Sequence, residues 1–71
     1  MSKWIDTPQS SNIVGFGYDE SSRVLTVKFK SGKTYTFDGV PKRLFTGMSK
    51  ATSVGSYFNQ VIRPDYTGVE S

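Results

Sequence analysis

The groups in this sequence best suited to a chemical task are cations set among aromatic rings. Lys28-Phe29-Lys30, Lys33-Thr34-Tyr35 and Pro41-Lys42-Arg43 put basic side chains beside rings or a turn-forming proline. Ammonium and guanidinium groups clustered this way neutralise phosphates, which gives salt-sensitive and largely sequence-independent binding. The cations are concentrated: Ser21 to Lys50 holds seven basic residues (Arg23, Lys28, Lys30, Lys33, Lys42, Arg43, Lys50) against Asp38 alone. Elsewhere Lys3 and Arg63 face Asp6, Asp19, Glu20, Asp65 and Glu70. A net charge of +3 permits a polyanionic partner without demanding one, and lysines on hairpins also serve as plain solubilising residues.

Catalytic equipment is scarce. Histidine and cysteine are both absent, which removes the usual general base, the thiol nucleophile and the two commonest zinc ligands. The carboxylates sit in turns and tails, and Asp19-Glu20 are chain neighbours rather than two acids facing one bond. No alternating oxygen ligands of a calcium loop occur. Gly15-Phe16-Gly17 lies inside a strand pattern with no helix opening after it, so it is no phosphate-cradling turn. The expectation is a non-enzyme with no catalytic residue, no metal and no cofactor.

Size and composition frame these residues. Seventy-one residues without cysteine make one domain near the lower limit for a self-sufficient core. Ten aromatic residues help fill that core. No apolar run could span a membrane, and Met1 to Asp6 lacks the hydrophobic stretch of a signal peptide, so a cytoplasmic location is expected. The domain spans 1–71, with an ordered core over about 10–66 and tails at 1–9 and 67–71.

The elements that must position the cations follow from periodicity. Ile13 to Tyr18, Arg23 to Phe29 and Lys33 to Val40 read as strands. Asp19-Glu20-Ser21-Ser22 suits a four-residue loop in which Asp19 bonds the backbone two residues on, and Lys30-Ser31-Gly32 suits a three-residue hairpin with Gly32 at positive φ. These loops set Phe16 opposite Leu25, Val14 opposite Val27, Val27 opposite Tyr35 and Leu25 opposite Phe37. One apolar face results: Val14, Phe16, Leu25, Val27, Phe29, Tyr35 and Phe37. The other face, with Ile13, Gly15, Gly17, Val24, Thr26, Lys28, Thr34, Thr36 and Asp38, is small, threonine-rich and mostly flat. Its glycines either leave a groove for another backbone or a ligand, or relieve twist at a bulge.

Two helices cover the apolar face. The first starts near Pro41 and presents Leu44, Phe45, Met48 and Ala51, with Gly47 implying a close approach. The second, capped by Ser53, presents Val54, Tyr57, Phe58, Val61 and Ile62 and ends at Arg63-Pro64. The fold class is therefore α+β: a three-stranded antiparallel β-meander with two short C-terminal helices packed on one face.

The ordered residues Ser10-Ser11-x-Ile13, Gly17-Tyr18-Asp19, Leu25-x-Val27-x-Phe29-x-x-Gly32-x-x-Tyr35-x-Phe37-x-Gly39-Val40-Pro41 and Ala51-x-Ser53-x-Gly55-x-Tyr57-Phe58-Asn59-x-x-Ile62-Arg63-x-x-Tyr66 resemble a KTSC domain. The resemblance covers roughly 10–66 and departs at Phe37, where the family's second central tyrosine is absent. The family occurs at the C-terminus of some lysyl-tRNA synthetases and as free-standing small proteins of bacteria and phages, and the synthetase association suggests RNA. Asn59, Arg63 and Tyr66 are the motif residues that packing alone explains least, although Arg63 also suits a helix C-terminus.

Three readings follow. The leading one is a nucleic-acid-binding module, preferring RNA, with Lys28, Lys30, Lys33, Lys42, Arg43 and Arg63 on phosphates. The second is a protein-interaction or self-associating accessory module, using a free edge on the first or third strand. The third is a sequestering binder of an anionic small ligand. With Tyr35 and Phe37 on the covered face, backbone contacts are favoured over base stacking.

Overall fold

Alternating apolar residues and short turns build a sheet with one covered face. The computed structural model describes residues 2–8, 10 and 12–70. Met1, Gln9, Ser11 and Ser71 lie outside the described residues, and with them Ser11 of the first motif and those parts of the expected tails. Five antiparallel strands lie in chain order: β1 (Ser2–Asp6), β2 (Ile13–Asp19), β3 (Val24–Phe29), β4 (Thr34–Phe37) and β5 (Val69–Glu70). Helix α1 (Lys42–Lys50) and helix α2 (Val54–Tyr57), which widens into a π-helical segment over Phe58–Ile62, come between β4 and β5. No helix among the described residues is long and apolar enough to cross a membrane.

The α+β class with two short helices stands, but the sheet has five strands rather than three. Both additions come from segments that carry no alternating apolar pattern. Strand β1 pairs Trp4 with Gly17 and Asp6 with Gly15, and β5 pairs Val69 with Thr36 and Glu70 with Tyr35. Backbone hydrogen bonding, rather than side-chain pattern, recruits them. They also occupy the edges of β2 and β4 that the sequence suggested were free.

The β3–β4 hairpin has the expected register, Leu25 opposite Phe37 and Val27 opposite Tyr35. Its turn is closed by Phe29 N–H donating to the Lys33 carbonyl at 2.9 Å, with Gly32 at φ 96°. The β2–β3 register differs by two residues, with Phe16 opposite Val27 and Tyr18 opposite Leu25. Asp19 still organises that turn, accepting from Ser21 N–H at 3.0 Å and from its hydroxyl at 2.7 Å. Strand β2 runs one residue further, to Asp19, and β3 starts one residue later, at Val24, so the four-residue loop moves to 20–23 and ends on Arg23 at φ 58°.

A bulge corrects one core assignment. Ile13 pairs with Phe29 and Gly15 with Lys28, so Val14 is the extra residue. Ile13 therefore turns inward and is buried, while Val14 is exposed. An inserted residue exchanges the faces of everything before it.

The core joins Phe16, Tyr18, Leu25, Val27 and Phe37 of the sheet to Phe45, Met48, Phe58 and Ile62 of the helices. Phe45 stacks on Tyr18 at 5.2 Å between centroids, and Phe58 meets Phe37 edge-on at 5.4 Å. The buried Tyr18 hydroxyl donates to the Val40 carbonyl at 2.5 Å, tying the approach to α1 onto β2. Gly47 lets α1 press against Tyr57: a β-carbon there would fall on the Tyr57 hydroxyl. Ser53 caps α2, its hydroxyl accepting from Ser56 N–H at 3.3 Å.

Candidate functional site

Antiparallel topology separates the cations into two groups. A chain reversal at residues 20–23 forms one end of the sheet, and the Lys30–Lys33 hairpin forms the other. After β4 the chain returns to the first end, where Val40 N–H donates to the Arg23 carbonyl at 3.0 Å. Lys42 and Arg43 thus stand at the 20–23 end, remote from Lys30 and Lys33. The structure brings together only part of the set proposed from the sequence.

At the 20–23 end the charge is compensated. Lys42 Nζ lies 2.6 Å from Glu20 Oε1, and Lys3 Nζ approaches the same oxygen at 3.9 Å. The Lys42 hydrogen bond and charge hold the Glu20 carboxyl below the usual glutamate range and push the Lys42 ammonium above the usual lysine range. Arg43 is exposed on the first turn of α1.

At the hairpin end, Lys30, Lys33 and Arg63 are exposed, and among the described residues none makes an ion pair. Two shallow clefts meet there. One, about 380 Å³, is lined by Phe29, Ser31, Lys33, Tyr35, Phe37, Arg63, Tyr66 and Gly68. The other, about 320 Å³, is lined by Asn12, Phe29, Lys30, Ser31, Phe58, Asn59 and Arg63. Arg63 borders both, so it joins the hairpin lysines although thirty residues separate it from Lys33 in the chain.

The π-helical turn sets this placement. Arg63 N–H donates to the Phe58 carbonyl five residues back, at 2.9 Å, a wide turn of the kind often found at functional sites. No hydrogen bond from the Arg63 guanidinium to the carbonyls of its own helix occurs among the described residues.

A larger cleft of about 440 Å³ adjoins the second one through the shared residues Asn12 and Asn59. Its wall is rich in hydroxyls: Thr7, Ser10, Ser49, Thr52, Ser53 and Ser56. Several are already committed. Ser10 Oγ accepts from Ile13 N–H at 3.1 Å, and the Thr7 hydroxyl donates to the Ile13 carbonyl at 2.7 Å. Ser53 is engaged at the α2 cap. These residues shape the loop before β2 and the entry to α2.

Lys28 stands apart from both clefts, on the uncovered face of the sheet opposite Gly15 and Thr34. Tyr35 is half-buried against Phe29 and Phe37 is buried, both on the helix side as the register implied. Sequence reasoning singled out Asn59, Arg63 and Tyr66 but could not join them to the hairpin, and it missed Asn12. Asn59 and Arg63 stand four residues apart, a spacing that puts them about one helical turn apart on a common face.

The comparisons with known proteins bear on this arrangement. A family model described as the KTSC domain matches residues 9–66. An uncharacterized protein of Stutzerimonas stutzeri is 38% identical over 58 residues, which is 82% of each chain. A lysine–tRNA ligase of Nostoc punctiforme is 34% identical over 56 residues, 79% of this chain but 10% of that protein. The crystal structure of a KTSC domain protein from Yersinia pestis matches with a TM-score of 0.91 at 30% identity, over 100% of this chain and 99% of that one. Full coverage extends that match to β1 and β5, which lie outside the residues of the family model.

Proposed function

The chain belongs to the KTSC domain family, and we propose that it works as a non-catalytic module that binds nucleic acid, RNA in preference, through the hairpin end of its sheet. The observation that carries this reading is the meeting of Lys30, Lys33 and Arg63 around two joined clefts, with no ion pair of their own among the described residues. Unpaired cations beside amides and aromatic rims suit phosphate and sugar contacts. The lysine–tRNA ligases among the relatives carry a similar segment in proteins whose name joins them to tRNA, which supports RNA over DNA. Lys28 extends the positive surface onto the uncovered face.

Lys42 has a smaller part in this reading, since Glu20 already neutralises it. Three phosphate contacts give a slope of log affinity against log salt of about −2 for a single strand, so affinity falls roughly 20-fold between 50 and 200 mM salt. Fluorescence anisotropy with a labelled unstructured RNA at several salt concentrations measures this. Replacing both hairpin lysines, Lys30→Glu with Lys33→Glu, is expected to weaken binding at least about tenfold and to flatten the slope. Unchanged binding in that variant would sink the assigned patch.

A further inference from the structure

The uncovered face of the sheet carries one large ring. Cross-strand pairs share a face, so Trp4, Gly17, Thr26, Thr36 and Val69 form a row across all five strands. The Trp4 indole lies along β2 over two glycines. A β-carbon on Gly15 would come 2.8 Å from Cζ2 and 2.9 Å from Nε1, and one on Gly17 would come 2.7 Å from Cε3. Opposite edges of the ring thus rest on successive glycines of the same face, and only glycine leaves room for it to lie down. Nε1–H donates to Asp6 Oδ1 at 3.0 Å, which fixes the ring's rotation.

Covering glycine is a sufficient reason for an aromatic residue to be there, but it leaves the other side of the indole unused. Trp4 is 50% exposed, and a groove of about 230 Å³ runs beside it, bordered by Lys3, Gly17 and Thr26. Lys28 lies on the same face, one strand spacing (about 5 Å) from Gly15, the glycine under the indole. From Lys28 the positive surface continues to Lys30 and Lys33 at the hairpin. A fixed ring with one free π-face and a cation beside it, on the solvent side of a sheet, is the arrangement that receives the bases of single strands.

We propose that Trp4 is a base-stacking platform for single-stranded nucleic acid, with Lys28 carrying the phosphate backbone from that platform toward the hairpin cations. This rests on the nucleic-acid reading above and assigns the uncovered face to it. Trp4 lies ahead of the residues matched by the family model, while the glycines beneath it lie within them.

As the chain's one tryptophan, Trp4 reports on itself. Its fluorescence is followed while an unstructured oligouridylate of about ten nucleotides is added, and in parallel with tripolyphosphate, a base-free polyanion. The oligonucleotide is expected to quench Trp4 and tripolyphosphate is not. By anisotropy with a labelled oligonucleotide, Trp4→Ala is expected to weaken binding about 5- to 150-fold, with Trp4→Phe retaining most of the affinity. In the Lys30→Glu/Lys33→Glu variant, the quench at saturation persists while the midpoint rises. Binding that leaves Trp4 unquenched and is indifferent to Trp4→Ala would overturn the platform and leave the hairpin site standing. Quenching by tripolyphosphate equal to that by the oligonucleotide would also overturn it, and no binding of either polyanion would overturn both proposals.

Discussion

The two ends of the sheet carry similar numbers of cations and differ in what faces them. At the 20–23 end, Glu20 holds Lys42 at 2.6 Å and draws Lys3 to 3.9 Å. At the hairpin end, Lys30 and Lys33 meet Arg63 around two clefts, with no carboxylate in contact among the described residues. A run of basic residues in a sequence sums charge along the chain, whereas a ligand meets charge as the fold distributes it. Folding here splits the run, neutralises part of one group and adds a distant arginine to the other.

The largest expected effect sharpens that contrast directly. Lys30→Glu with Lys33→Glu should weaken binding of single-stranded RNA at least about tenfold, while Lys42→Glu with Arg43→Glu should weaken it by less than about threefold. Anisotropy at one salt concentration compares the two pairs. Equal losses would break the distinction between the ends.

Next in size is the lock at the 20–23 end. Tyr18→Phe removes the donor to the buried Val40 carbonyl and should cost about 1–3 kcal/mol of stability in a urea melt, with RNA affinity unchanged for the folded fraction. The matching change at the hairpin end is Gly32→Ala. Gly32 sits at φ 96°, so a side chain there should cost about 1–2 kcal/mol. This variant should also lose affinity, because the turn that sets Lys30 and Lys33 must shift. Stability loss without affinity loss at Gly32 would argue that the turn's geometry is not part of the site.

The smallest effect concerns Glu20. Because Lys42 holds its carboxyl below the usual range, this acid contributes stability above the ordinary glutamate value, and the contribution is lost as pH falls through the lower folded value. Lys42 adds the converse at high pH: its contribution is present below the ordinary lysine value and lost as pH rises through the raised one. Glu20→Gln should flatten the acid limb of thermal stability slightly, since both partners are exposed. It should also raise RNA affinity a little by releasing Lys42. A fall in affinity would contradict the compensating role given to Glu20.

What the sequence disclosed depended on whether local chemistry set the outcome. Gly32 and the spacing of Leu25, Val27, Tyr35 and Phe37 specify one hairpin, and the structure has that register. Asp19 specifies its turn, but as the last residue of β2 rather than the first of the loop, so the loop and the register move. Gly15 and Gly17 admitted a bulge as one of two readings, and the bulge lies beside Gly15. Which residue it turns outward was not legible, since Ile13 and Val14 are equally apolar and either could face the core. Strand β1 was hidden because Trp4 packs on glycines, which offer no side-chain pattern to read. Strand β5 contributes two residues, too few for any periodicity. The candidate site was legible as a list of cations but not as a place. Joining Arg63 to Lys30 and Lys33 needs the helix layer to cross the sheet, and pairing Lys42 with Glu20 needs the β4–α1 connection to return to the first turn.

The most direct test is an amide NMR titration of the labelled protein with a short single-stranded RNA at near-physiological salt. Shifts concentrated on Lys30 to Lys33, Asn59 and Arg63, with residues 20–23, Lys42 and Arg43 nearly still, are the predicted result. Shifts centred on Lys42 and Arg43, or none localised at the hairpin end, would contradict the claim that this end receives the ligand.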